Sequence, residues 1–332
     1  MPEFWLELAV TAAPEAVEAI SEVMSRYAEG GVAIEEPYEL ADDGQVALPI
    51  AGAPVTVRVY VPADAAGEEA RQRIEEGMWH LRQIGAGSIS DVSVRRLAEA
   101  DWANAWKEHY HVTHLGRRTV IKPSWREHAP RPGEAVVELD PGMAFGTGLH
   151  PTTRNCVIAL EEALRPGDRV LDVGTGSGIL AIAALKLGAG SVLALDVSPV
   201  AVEAARANAA ANGVSERIEL RLATLEGAAG EPYAPLPPDL AVLGPEIGTY
   251  DVVVANIIAR VIAQLASALL RATRPGGTLI ASGIIAERRG EAEEPLRAAG
   301  MRDIRALVEG DWVTLVGRRG DGGDAEREGR EG

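Results

Sequence analysis

Two hydrophobic periods alternate through residues 3–99. Ala16, Val17, Ile20, Val23 and Met24 recur at helical spacing with Glu15, Glu18 and Glu22 between them, which predicts an amphipathic helix over 14–28. A second such stretch covers 65–84, and the β-prone runs 4–10, 31–36, 55–61 and 89–96 read as strands. The resulting order, β-α-β-β-α-β, is that of a small α+β ferredoxin-like domain. From 169 onward the pattern changes to short, almost wholly apolar runs separated by helical segments. Strands are predicted at 169–173, 191–195, 217–222, 250–255, 277–282, 303–308 and 312–316. Strands apolar on both faces belong inside a sheet covered by helices on both sides. The expected second domain is therefore α/β, with a doubly wound seven-stranded sheet ending in an antiparallel pair.

Breaks in the pattern set the boundaries. Residues 100–116 read as a connector helix with Trp102 and Trp106 on one face, followed by extended stretches at 119–125 and 135–139. Residues 227–249 contain Pro232, Pro235, Pro237, Pro238 and Pro245 and read as an inserted loop. Residues 319–332 are Gly, Glu and Arg with almost nothing apolar and are expected to be disordered. The predicted organisation is 1–99 for substrate recognition, 100–116 as connector, 117–318 as the catalytic domain, and a tail.

Composition narrows the class. A chain of 332 residues with 47% hydrophobic positions can build two cores. Its longest apolar stretch, 179–195, is broken by Lys186 and glycines, so no membrane span is expected. Met1-Pro2-Glu3-Phe4-Trp5 lacks a basic region and a cleavage site, which points to a cytoplasmic protein, expected to be a monomer. Cys156 alone permits no internal disulfide and reads as a small buried hydrophobe. His109, His111 and His114 lie close in sequence, but without carboxylate or thiol at matching spacing no metal is expected. The net charge is −17, and residues 1–100 hold 18 acidic against 7 basic side chains. Such a surface argues against direct nucleic-acid binding and suits a basic protein partner, although solubility alone explains the charge equally well.

The candidate chemistry centres on Val170-Leu171-Asp172-Val173-Gly174-Thr175-Gly176-Ser177-Gly178. A buried strand ends in a glycine turn that opens a helix, and the next strand ends in Asp196, whose carboxylate is placed to accept from both hydroxyls of a ribose. Gly174, Gly176 and Gly178 form G-x-G-x-G rather than the G-x-G-x-x-G of dinucleotide sites. Asp172 before the first glycine would repel a pyrophosphate but suits a cofactor carrying an ammonium and a sulfonium, which points to S-adenosylmethionine. A turn without ligand accounts for the glycines but not for acids at both strand ends. Asn256, after the fourth strand, should face the same crevice. Ile257-Ile258-Ala259 follows it, where methyltransferases acting on planar amines often carry Pro-Pro-aromatic, so a flexible aliphatic amine is the expected substrate. The loop 140–153, with Phe145 and Thr147, offers N–H groups and hydroxyls to a carboxylate. Two other readings stay open: an N-methyltransferase for a different amine, and a non-catalytic S-adenosylmethionine-binding assembly factor.

Several segments together resemble the bacterial ribosomal protein L-eleven methyltransferases over nearly the full length. These are Asp101-Trp102 with Trp106, Lys122-Pro123-Ser124-Trp125, Leu139 through Gly148 running into His150-Pro151-Thr152-Thr153, Gly178 through Ala184, and Asn256-Ile257-Ile258-Ala259. The resemblance implies a class I, Rossmann-like S-adenosylmethionine-dependent fold. It also implies methylation of lysine side chains and the N-terminal amine of a large-subunit ribosomal protein recognised by the N-terminal domain. The family's cofactor contacts fall on Thr153, Gly174, Asp196 and Asn256. Leu149 stands where the family commonly has threonine, and the 227–249 insertion lengthens the segment before the fourth strand. No side chain presents itself as a general base; Asn256 and its backbone carbonyl are the candidates for orienting the amine.

Overall fold

The computed structural model describes residues 4–27, 32–35, 37–40, 47–50, 52–83, 85, 87–98, 111–139, 150–228, 240–244 and 249–320. These fall into two units, one within 4–114 with 122–128, the other within 115–121, 129–139 and 150–320.

In the first unit, strand β1 (Phe4–Ala12) leads through a 3-10 turn at Pro14–Ala16 into helix α1 (Val17–Ser25). Strands β2 (Ala33–Glu35), β3 (Tyr38–Leu40), β4 (Ala47–Pro49) and β5 (Val55–Pro62), helix α2 (Ala65–Gln83), and strands β6 (Ser93–Ala98) and β7 (Thr113–His114) follow. The four longer-range partners pair antiparallel in the order β2-β5-β1-β6. Alternation decides what is buried: Leu8 and Val10 stand opposite Val59 and Val57, and this face packs on Ile20, Met24, Ile74 and Met78. The other face carries Glu7, only 5% exposed, whose carboxylate accepts from Arg58 Nη1, Tyr60 Oη and Arg95 Nη2, each at 3.1 Å. Arg58 also grips Glu35 with two nitrogens, at 2.8 and 2.9 Å. Desolvation by burial, with the Glu7 charge adding to it, holds the Tyr60 hydroxyl above its ordinary range.

The second unit contains β8 (Thr119–Lys122), β9 (Ala135–Glu138), α3 (Pro151–Ala163), β10 (Arg169–Val173), α4 (Ile179–Leu187), β11 (Ser191–Asp196), α5 (Pro199–Ala211) and β12 (Ile218–Leu225). It continues with β13 (Ala241–Leu243), β14 (Tyr250–Asn256), α6 (Ala259–Ala272), β15 (Thr273–Ile285), α7 (Arg289–Ala298), β16 (Met301–Glu309) and β17 (Trp312–Arg319). The sheet order is β13-β12-β11-β10-β14-β15-β17-β16, parallel except where β17 runs antiparallel to both neighbours. Both faces are covered. Val170, Val192, Val252 and Val254 pack with α3 and α4, whereas Leu171, Leu193, Val253 and Leu279 pack with α6 and α7. This two-sided burial is why these strands read as unbroken apolar runs.

Several expectations need correction. Among the described residues the sheet has eight strands, not seven, because Ala241–Leu243 pairs parallel to Ala223, Thr224 and Leu225. That strand lies inside the stretch read as an inserted loop; three aliphatic residues just past the prolines suffice to complete an open edge. The expected connector helix 100–116 is extended at its described end, where Thr113–His114 form β7; residues 100–110, with Trp102, Trp106 and His109, lie outside the described residues. The expected tail begins too early: Arg319 ends β17, and its guanidinium donates to the carbonyls of Arg271 and Thr273 at 3.0 and 2.7 Å. Residues 321–332 lie outside the described residues. Among the described residues, no helix is long and apolar enough to cross a membrane.

One clamp secures the start of the second unit. The Glu161 carboxylate on α3 accepts from the backbone N–H groups of Arg117, Arg118 and Thr119 and from the Thr119 hydroxyl, at 2.8 to 2.9 Å. A Cβ on Gly116 would sit 2.5 Å from Glu161 Oε1, so the turn closes onto the carboxylate only with glycine there. Glu161→Ala is expected to lower unfolding free energy by about 1 to 3 kcal/mol. Urea denaturation checks this, and cofactor affinity measured on the same variant should stay within about twofold.

Candidate functional site

The turn from β10 into α4 is held by its neighbour strand. Gly174 N and Thr175 N donate to the Leu195 carbonyl at 2.8 and 2.9 Å, and Gly176 N donates to Asp196 Oδ2 at 2.8 Å. Asp196 Oδ1 accepts from Ser198 N at 2.9 Å. Both carboxylate oxygens are thus already engaged by backbone, and each keeps lone-pair capacity for a hydroxyl donor. Asp196 therefore braces the glycine turn, which its position at a strand end did not reveal. Gly174, Gly176 and Gly178 all take positive φ, at 75°, 55° and 81°. Part of their role is clearance: a Cβ on Gly174 would lie 2.4 Å from Ile257 Cγ2, and one on Gly178 would lie 3.1 Å from Ala205 Cβ.

Asp172 lies beneath this turn and is fully buried. Its Oδ2 accepts from Thr175 Oγ1 at 2.7 Å, whereas Oδ1 has no hydrogen-bond partner among the described residues. Burial pushes its pKa up to about 7; the Thr175 hydrogen bond opposes the rise, the Asp196 charge reinforces it, and the Ala181 backbone N–H opposes it weakly.

Across the crevice, α3 starts at the other half of the site. His150 caps it, with Nδ1 3.3 Å from Thr152 N and 2.8 Å from Thr152 Oγ1, and Pro151 begins the first turn. Burial, aided by the Arg154 charge, takes the imidazole pKa down to about 4, so the ring is neutral near pH 7 and its Nδ1 accepts. Its ring and that of Trp312 meet in a T-shaped contact at 74°, with centroids 4.6 Å apart. Thr153, 3% exposed, presents its hydroxyl to Asn256, whose Nδ2 donates to it at 3.4 Å across 103 residues of sequence.

The structure therefore gathers Thr153, Gly174, Asp196 and Asn256 at the carboxyl ends of β10, β11 and β14, with Asp172, Gly176 and Gly178 alongside. Phe145 and Thr147 lie outside the described residues. Three participants escaped the sequence reading: His150 as cap, Ile257 as the side chain that requires Gly174, and Ser282, which touches both loops. His150 had a detectable signal in its place before Pro151; Ser282 had none. Cys156 is fully buried in α3, its thiol pKa pushed up to about 12 by burial, consistent with packing.

These acceptors fit an adenosine cofactor bearing an ammonium: an acid at a strand tip with spare lone pairs, and a buried carboxylate whose Oδ1 lacks a close donor among the described residues. The Asp172 pKa has a consequence for stability. Raised from 3.8 to about 7 on folding, this group favours the native state at low pH, and that contribution is lost as pH rises through about 7. Asp172→Asn is expected to melt higher than the parent protein at pH 8, with the difference shrinking as pH falls below 7. Its affinity for a cationic cofactor is expected to drop at least about tenfold. A melting series against pH and a binding titration check both; a pH-independent difference in melting would contradict the assignment.

Comparison with known proteins points to one family. The family profile described as Ribosomal protein L11 methyltransferase (PrmA) matches residues 4–320. A protein named ribosomal protein L11 methyltransferase from Chloroflexus aurantiacus is 47% identical over 326 residues, covering 95% of this chain and 98% of the relative. One of the same name from Herpetosiphon aurantiacus is 43% identical over 325 residues, covering 95% of this chain and 99% of the relative. The crystal structure of a ribosomal protein L11 methylase from Lactobacillus delbrueckii subsp. bulgaricus superposes with a TM-score of 0.54 at 36% identity, covering 64% of this chain and all of that one. Sequence, profile and fold agree: the chain belongs to the ribosomal protein L11 methyltransferase family.

Proposed function

We propose that this protein transfers methyl groups from S-adenosylmethionine to lysine side chains and the N-terminal amine of ribosomal protein L11. The observation that carries this is the meeting of Asn256 with Thr153 beside the Asp196-anchored glycine turn, with no aromatic side chain following Asn256. The sheet order, with its inserted antiparallel β17, supports a class I methyltransferase domain, and the order β2-β5-β1-β6 supports reading the first unit as ferredoxin-like.

When bound, the cofactor supplies an activated methyl on a sulfonium. The chain's own groups position and desolvate. Asp196 would accept from the cofactor's ribose hydroxyls, Asp172 would offer its carboxylate to the ammonium, and the Thr153 hydroxyl would hold the methionine carboxylate. Asn256 orients the incoming amine through its carbonyl. An amine attacks only when neutral; the apolar wall of Ile257 and Ile258, the latter 39% exposed, withdraws it from water and favours its neutral form. No general base is assigned, because an oriented neutral nucleophile and an activated methyl leave mainly a positioning problem. The acidic first unit is proposed to dock the basic substrate.

Incubating the protein with labelled S-adenosylmethionine and a ribosomal-protein pool tests the proposal. Label is expected on L11, at lysine and N-terminal amines resolved by mass spectrometry. Label on other products would redirect the substrate assignment, and bound cofactor without transfer would favour an assembly factor. Asp196→Ala is expected to weaken cofactor binding by about 2 to 4 kcal/mol in calorimetry, through lost charge-assisted hydrogen bonds. If the acidic unit steers the substrate, kcat/KM for L11 falls as salt rises from 50 to about 300 mM while turnover at saturating substrate changes little. A flat salt profile would remove that role from the charge.

A further inference from the structure

β15 lies between β14 and β17 and holds the crevice from below. Ser282 stands opposite Asn256 in the parallel register with β14. On the other side the antiparallel register with β17 shifts between Ala281 and Ile284, so Ser282 and Gly283 form an irregularity at the strand end. Ser282 uses both its main chain and its side chain there. Its carbonyl accepts from Ile257 N at 3.0 Å, and its hydroxyl donates to the Thr152 carbonyl at 3.2 Å. Thr314 Oγ1 is 2.5 Å from Ser282 Oγ. Each hydroxyl has one proton, so with that of Ser282 directed at Thr152, Thr314 donates to Ser282, which the buried Cys156 thiol also meets. Gly283 has φ +83°, and a Cβ on it would lie 2.5 Å from the Ile257 carbonyl oxygen, so the close approach of these backbones requires glycine.

One residue therefore ties the segment after Asn256 to the first turn that carries Thr153. Ser282 and Thr314 are completely buried and Thr152 is 4% exposed, so these bonds form away from water. An Ala and Val pair of similar shape would pack the same space without polar groups to desolvate. What the hydroxyls add is direction, since a hydrogen bond fixes a distance and an angle where an apolar contact allows sliding.

We infer that Ser282 is a positioning residue for the cofactor site, with Thr314 orienting its hydroxyl and Gly283 providing clearance, so that together they set the separation of Asn256 from Thr153. The inference rests on the proposed reading of Asn256 and Thr153 as cofactor contacts. Ser282, completely buried, is assigned no contact with cofactor or substrate.

The test uses the full chain with Ser282→Ala, Thr314→Val and the double variant. Ser282→Ala leaves the Thr314 hydroxyl without its acceptor and should lower stability; the double variant removes the whole polar pair and should regain most of it. S-adenosylmethionine affinity by calorimetry is expected to be about tenfold weaker in both, because stability returns but geometry does not. Adding Ser282→Ala to Thr153→Ala should weaken binding much less than it does alone, since both act on one contact. Hydrogen exchange without cofactor should quicken at the amides of 152–154 and 257 in each Ser282 variant. A double variant with parental affinity and exchange would overturn the inference, as would fully additive losses with Thr153→Ala. Should Ser282→Ala fail to fold, Thr314→Val alone serves, and parental affinity together with parental exchange in it also overturns the inference. If the parental protein does not bind S-adenosylmethionine, the cofactor reading fails, while the exchange experiment still decides whether Ser282 restrains the two loops.

Discussion

Three consecutive N–H groups in the turn after β10 are held by two consecutive residues of β11: Leu195 through its carbonyl and Asp196 through its carboxylate. A five-residue turn with three glycines at positive φ has high conformational entropy when free, and these bonds reduce it to one shape. The rest of the site follows. With the turn in place Gly174 sits against Ile257, Ile257 donates its N–H to Ser282, and Ser282 reaches the helix turn that bears Thr153. Parallel pairing of β10 with β11 and β14 brings all of these ends to one edge of the sheet.

Two buried carboxylates show how a site is told apart from a structural device. Glu7 accepts from two arginines and a tyrosine, so its charge is balanced within the fold. Asp172 is completely buried, has the Thr175 hydroxyl and, more weakly, the Ala181 backbone N–H as partners, and keeps Oδ1 without a close donor among the described residues. A fold does not leave such an atom in a low-dielectric interior without a reason, because the deficit costs free energy in the empty protein. A cationic group delivered by a ligand removes the deficit. The same imbalance that raises the Asp172 pKa is what supports the proposal that a ligand's ammonium binds there.

The apolar runs of β10, β11 and β14 and the glycines after β10 were legible because local chemistry alone dictates them: two-sided burial requires unbroken aliphatics, and positive φ requires glycine. Asp196 was legible as a site candidate for the same reason, being an acid at the tip of a buried strand. Its grip on Gly176 was not, since that bond depends on the register of two strands. β13 was missed because prolines dominate the segment before it, and three residues carry too little periodicity to outweigh them. The extended Thr113–His114 was missed because two tryptophans four apart suggested a helix continuing past 110.

By itself the sequence determined the two cores, the buried strands of the second unit and the glycine turn between two acids, since each rests on the properties of a residue and its near neighbours. Tertiary structure alone decided which hydroxyl meets which carbonyl. Thr153 and Asn256 meet across 103 residues, and Ser282 and Thr152 across 130, because the sheet closes those distances. Serine and threonine are too common in sequence to mark such meetings. Only when strand register places Ser282 opposite Asn256, and a bulge turns its hydroxyl toward α3, does an ordinary buried residue acquire a role in the site.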